Sequence, residues 1–158
     1  MSTVTKSDIL QLVSFDLGNE EYAVDILKVQ EINRMVDITT IPNAPFYVEG
    51  VINLRGKVIP VINLRKKFGF DLKEMDSHSR IIVVDVGKTV GLIVDSVSEV
   101  LRLSSETVEP PPPMTGNGSS EYILGIGKLQ DRLLILLDID SLLANGDGQG
   151  LFLEQNRN

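Results

Sequence analysis

Apolar and polar positions alternate along most of the chain with the period of two that half-buried strands require. Val13, Phe15 and Leu17 alternate with Ser14 and Asp16, Gly18-Asn19 then tolerates positive φ, and Tyr22-Ala23-Val24-Asp25-Ile26 resumes the pattern, which predicts a β-hairpin. Ile26, Val29 and Ile32 fall three apart, a spacing that fits one helical turn or a bent strand equally well. Ile41-Pro42-Asn43-Ala44-Pro45 reads as a rigid connector, because each proline fixes its own φ and pushes its predecessor toward an extended conformation. Two strands follow, Gly50 to Leu54 and Val58 to Ile62, joined through the tight turn Arg55-Gly56-Lys57, with Pro60 pointing to an edge position or a bulge for the second. Leu64 to Phe70 predicts a short helix ending at Gly69, and Arg80 to Asp85, Val90 to Val94 and Val97 to Leu103 predict further strands. Pro110 to Pro113 with Met114-Thr115-Gly116-Asn117-Gly118 is the longest irregular connection and reads as a spacer. Strands over Tyr122 to Leu129 and Arg132 to Leu137 and a terminal helix over Ile139 to Ala144 complete the pattern.

An internal repeat organises these elements. Gly50-Val51-Ile52-Asn53-Leu54-Arg55-Gly56-Lys57-Val58-Ile59-Pro60-Val61-Ile62-Asn63-Leu64 recurs without a gap at an offset of 75, from Gly125 to Ile139, as glycine, tight turn, apolar strand, then Asn or Asp before a helix-like segment. Phe15-Asp16-Leu17-Gly18 matches Val84-Asp85-Val86-Gly87 at 69, and Val29-Gln30-Glu31-Ile32 matches Val97-Ser98-Glu99-Val100 at 68. Each half then holds about five short strands, the number with which small closed barrels remove exposed sheet edges. The expectation is an all-β chain of two barrels sharing one core, with a flexible segment over 1–9, the paired barrels over 10–144 with a boundary near 70–80, and a flexible tail over 145–158.

Composition narrows the function. The 158 residues, 42% hydrophobic and 23% charged, suit one ordered unit, and the absence of cysteine removes thiolate nucleophiles, disulfides and sulfur metal sites. The opening MSTVTKSDILQ lacks a secretory core, and no apolar run approaches the ~20 residues that span a bilayer, so a cytoplasmic protein is expected. A net charge of -7 disfavours nucleic acid, and the short run Arg65-Lys66-Lys67 reads as a solvated helix face. The sole histidine, His78, lies in a polar loop beside Asp76 and Ser79, where sequence neighbours seldom hold a catalytic geometry. Asp138 and Asp140 could face a divalent cation, although helix N-capping explains them more simply. Gly125-Ile126-Gly127 lacks the third glycine and the helix of a dinucleotide fingerprint. No catalytic residue, metal or cofactor is expected.

The run from Glu21 to Ile32, then Ile41-Pro42-Asn43-Ala44-Pro45, Gly50 to Gly56, Val58 to Phe68, Gly91 to Val97 and Gly125-Ile126-Gly127 resemble the signature of the CheW family of chemotaxis coupling proteins. The resemblance covers nearly everything from Leu10 to Ala144. It implies two five-stranded SH3-like barrels and a non-enzymatic adaptor that joins the regulatory domain of the histidine kinase CheA to the signalling tips of transmembrane chemoreceptors. Receptor tips are expected in a groove between the barrels, and kinase contacts at barrel ends that build rings from a protein monomeric in isolation. Matching functional positions are Val29, Glu31, Ile32, Gly50, Asn53, Leu54, Arg55, Gly56, Gly91 and Val97. Arg55 is expected to offer its guanidinium to receptor carboxylates or carbonyls. Glu109 departs from the family pattern, which often has a basic residue before the prolines. A carbohydrate- or nucleotide-binding β domain is the competing reading.

Overall fold

The computed structural model describes residues 8–112 and 122–144; the expectations for 1–7, for 113–118 and for 145–158 lie outside the described residues. In chain order the elements are β1 (Ile9–Leu17), β2 (Glu20–Asp25), a 3₁₀ turn (Ile26–Lys28), β3 (Val29–Arg34), β4 (Val48–Leu54), β5 (Lys57–Asn63) and α1 (Leu64–Phe68). There follow β6 (Arg80–Asp85), β7 (Thr89–Val94), β8 (Ser96–Ser104), a 3₁₀ turn (Ser105–Thr107), β9 (Val108–Glu109), β10 (Ile123–Lys128), β11 (Leu133–Leu137) and α2 (Ile139–Ala144). The ambiguous spacing from Ile26 to Ile32 resolves into both readings in succession. Asp25 accepts a bond from the Leu27 N–H to cap the turn, and the strand starts at Val29.

The strands form two sheets, in the orders β8-β1-β2-β11-β10-β9 and β3-β6-β7-β5-β4. Replacing each strand of the second sheet by its repeat equivalent gives β8-β1-β2-β11-β10, the first sheet less β9. The two halves therefore exchange their leading hairpins: β1-β2 sits between β8 and β11, and β6-β7 between β3 and β5. Each sheet closes in the same way. The chain leaving β8 at one edge returns after the turn at Ser105–Thr107 as β9 and pairs with β10 at the other. The chain leaving β3 returns at Thr39, which exchanges two 2.9 Å backbone bonds with Val51 of β4. Counting Val108–Glu109, which the sequence pattern left unassigned, the first sheet has six strands where five were expected.

Closure sets the glycines at the crossovers. A Cβ on Gly50, whose φ is +147°, would stand 2.1 Å from the Thr39 carbonyl oxygen, and one on its repeat partner Gly125 would stand 2.7 Å from that of Glu109. Pro60 lies in β5, an interior strand flanked by β4 and β7, so the edge expectation does not hold. Val51 spends both backbone groups on Thr39, which makes the facing Val51↔Pro60 pair non-hydrogen-bonded, and the β7 ladder begins only at Val61. The missing N–H costs no ladder bond there.

Three clusters fill the interior. Ile52, Leu54, Ile59, Val61, Ile81, Val83 and Ile93 fill one barrel, and Leu12, Ala23, Leu103, Leu134 and Leu136 the other. The largest lies between them, where Val13, Phe15, Leu17, Tyr22 and Val24 of one exchanged hairpin join Ile82, Val84, Val90, Leu92 and Val94 of the other. Both faces of β6 and β7 are therefore buried, which is why these strands are almost continuously apolar.

Candidate binding surface

The β4–β5 turn is built for one conformation. Arg55 (φ 54°) and Gly56 (φ 85°) occupy the two central positions between the paired Leu54 and Lys57, both left-handed, as a two-residue type I′ hairpin demands. Asn53 Oδ1 accepts a 2.8 Å bond from the Gly56 N–H and fixes the loop. Turn geometry throws the Arg55 side chain outward, 72% exposed, and one guanidinium nitrogen donates to a carboxylate oxygen of Glu31 on β3. That hydrogen bond, and then the carboxylate charge, raises the Arg55 pKa above its ordinary value. Arg55 is thus engaged within its own chain and presents its remaining donors to solvent.

The second half repeats this chemistry. Arg132, in the β10–β11 turn, donates at 2.8 Å to Glu99 of β8, the repeat equivalent of Glu31, and at 2.7 Å to Glu21 of β2. In both barrels a hairpin arginine is tied to a glutamate on the edge strand. The hydrogen bond and charge of Glu21 raise the Arg132 pKa most.

Cross-strand pairing fixes which way the edge strands face. Val29 pairs with Val84 and Ile32 with Ile82, so both lie on the face of β3 that turns toward the shared core. On β8, Val97 pairs with Phe15 and Val100 with Val13, again the shared-core face. Val29 and Val97 pack half-buried against that core, whereas Ile32 remains 38% and Val100 59% exposed. The sequence prediction omitted Val100, although the repeat that places Val97 beside Val29 places Val100 beside Ile32. Glu31 lies on the opposite face, beside Val83, because the ladder shifts between Val29 and Glu31.

Not every predicted position is available to a partner. Leu54 is buried in a barrel core, Gly50 is hemmed in by Thr39, and a Cβ on Gly91 would stand 2.8 Å from Ile81 Cγ2. These three shape the surface from beneath. Asn53, Arg55, Gly56, Glu31 and Ile32, together with Val29 and Val97, are brought to the edge strands and the adjoining turn.

A partly buried ion pair holds the crossover from β7 to β8. Arg65 of α1 grips Asp95 through two bonds of 2.8 and 2.7 Å, and the Gly18 N–H adds a third at 2.9 Å. Burial alone would raise the Asp95 carboxyl, but the Arg65 guanidinium and the Gly18 N–H hold it below the usual carboxylate range.

A family model described as the CheW-like domain matches residues 11–147. The chain belongs to the CheW family. It is 44% identical over 136 residues to the chemotaxis protein CheW of Klebsiella aerogenes, covering 85% of this chain and 82% of that one. The CheW of Treponema pallidum is 38% identical over 146 residues, covering 89% and 86%. The crystal structure of the scaffolding protein CheW from Thermoanaerobacter tengcongensis superposes with a TM-score of 0.81 at 40% identity, covering 89% of this chain and 96% of that one. CheW proteins are scaffolds of chemotaxis signalling and not enzymes, which makes this chain an adaptor built on the paired-barrel CheW fold. The remaining sequence candidates fit structural roles. In this CheW-family chain Asp138 caps α2 through the Ser141 N–H and hydroxyl, Asp140 pairs with Lys28 at 2.8 Å, and His78 is 78% exposed. Glu109 pairs with Lys128 of β10 at 2.8 Å, so its charge is compensated within the chain.

Among the described residues no helix is long and apolar enough to cross a membrane.

Proposed function

We propose that this adaptor works in the cytoplasm, holding chemoreceptor signalling tips with the edge strands beside the shared core and the regulatory domain of the kinase CheA with its barrel ends. The observation that carries the receptor half is the placement of Val29, Ile32, Val97 and Val100 on the shared-core faces of the two edge strands, with an arginine–glutamate pair on each barrel. An amphipathic helical tip lays apolar side chains against such a surface and leaves polar ones for a charged rim. The kinase half is supported by Val58 and Leu133, repeat equivalents that stand 65% and 61% exposed at the start of β5 and β11. Exposed apolar strand starts on both barrels suit a head-to-tail, heterologous contact, the kind from which rings close.

Two titrations of Ile32→Asp test this reading, one against a receptor signalling-tip fragment and one against the isolated kinase regulatory domain. Receptor affinity falls at least about tenfold, equivalent to ~1.4 kcal/mol, while kinase affinity changes less than about twofold. Equal affinities to the parent protein for both partners, or an equal loss for both, would overturn the division of surfaces.

A further inference from the structure

We propose that Arg34 and Arg102 read carboxylates on the receptor tip, so that each edge strand offers a helix two apolar contacts followed by an acidic one. This rests on the receptor reading of the edge strands and adds to it the chemistry of the partner.

The two arginines are repeat equivalents. The offset of 68 that sets Val29 and Ile32 beside Val97 and Val100 also sets Arg34 beside Arg102. Each lies two residues beyond the second apolar position, and the ladders run without a register shift from Ile32 to Arg34 and from Val100 to Arg102. Alternation therefore returns both arginines to the shared-core face, and both are exposed. Among the described residues Arg55, Arg65 and Arg132 pair with carboxylates and Arg80 donates to the carbonyls of Ser77 and Ser79, whereas Arg34 and Arg102 have no intramolecular partner. Arg34 moreover stands directly opposite Arg80 across the β3–β6 ladder, a like-charge pair that costs stability in the isolated protein. In a chain of net charge -7, unpaired guanidinium groups at the same place on both edge strands mark an acidic occupant.

Geometry selects a carboxylate side chain. Two strand residues span about 7 Å, and four residues of a partner helix about 6 Å. A helix that sets an apolar side chain on Ile32 or Val100 thus brings the side chain of its next turn to the arginine. The carbonyls within that helix are spent on its own N–H groups, which leaves side chains as acceptors, and the guanidinium fork matches a carboxylate at two atoms. The tip helix is expected to carry Asp or Glu one turn beyond its apolar contact.

Arg34→Glu and Arg102→Glu are titrated separately against a receptor signalling-tip fragment at about 50 mM and about 500 mM salt, with Ile32→Asp alongside. Each reversal lowers affinity at least about fivefold at the lower salt and less than about twofold at the higher, where exposed charges are screened. Arg34→Lys, which keeps the charge, retains most of the affinity. The melting temperature of Arg34→Glu does not fall, because an opposite-charge cross-strand pair replaces a like-charge one. Parent-like affinity of either reversal, a loss that persists in full at the higher salt, or an equal loss for the isolated kinase regulatory domain overturns the proposal. If Ile32→Asp alone weakens receptor binding, the receptor reading stands and the arginines are solvated surface charges; if it too binds like the parent, the receptor reading has failed as well.

Discussion

At the scale of single residues, the backbone decides which substitutions the adaptor tolerates. Arg55 keeps a left-handed conformation that costs a residue with a Cβ roughly 1–2 kcal/mol relative to glycine, and its ion pair with Glu31 is solvent-exposed and screened, so it offsets little of that cost. Arg55→Asn, the favoured residue for the first central position of a type I′ turn, therefore leaves stability unchanged or raises it by up to about 1 kcal/mol in urea denaturation. The same variant lowers receptor affinity by at least about threefold in a binding titration, so the loss of binding is not accompanied by a loss of stability. Gly50 gives the converse case. Gly50→Ala drives a methyl carbon into the Thr39 carbonyl at the point where the barrel closes, and destabilisation of about 2–4 kcal/mol is expected from the shift in denaturation midpoint.

At the scale of elements, α1 acts as a clamp as much as a helix. Asn63 caps it through the Arg65 N–H at 2.9 Å, Gly69 ends it in a left-handed conformation, and the five residues between are too few to be stable alone. What holds α1 is Leu64 in the shared core and Arg65 on Asp95, a contact that fixes the crossover between the sheets. Removing a partly buried charged partner costs about 1.5–3 kcal/mol, so Asp95→Asn lowers stability by that amount at pH 7. Because the folded Asp95 carboxyl titrates below its unfolded value of about 3.9, its stabilisation is complete above that value and is lost as pH falls toward the folded one. The difference between parent and Asp95→Asn therefore narrows below about pH 4, as chemical denaturation across pH 2.5–7 will show.

At the scale of the molecule, exchange of hairpins makes the barrels interdependent. Each takes two strands from the other half of the sequence, and the largest core cluster belongs to neither alone. Leu92, fully buried between the exchanged hairpins, is the sharpest probe. Leu92→Ala costs about 2–5 kcal/mol. Amide signals from β4 in one barrel and β10 in the other still lose intensity at a single common denaturant concentration. Two separated transitions would mean that the barrels fold as independent units.

Local pattern determined the strands, since alternation at Val13, Phe15 and Leu17 and the glycine-marked turns follow from two-residue periodicity and φ preference, which neighbours along the chain suffice to express. The repeat also determined, without being fully used, that Val100 stands where Ile32 stands and that each half has an edge-strand glutamate, at Glu31 and Glu99. Contacts between residues far apart in sequence decided the rest. Pairing of β1 with β8 rather than β3, closure through Thr39 and Glu109, and the engagement of Arg55 with Glu31 depend on which sheet captures each hairpin. Equivalent halves offer equivalent strand edges, so the sequence pattern is the same for exchanged and unexchanged barrels. Only burial of both hairpins in one shared core distinguishes them.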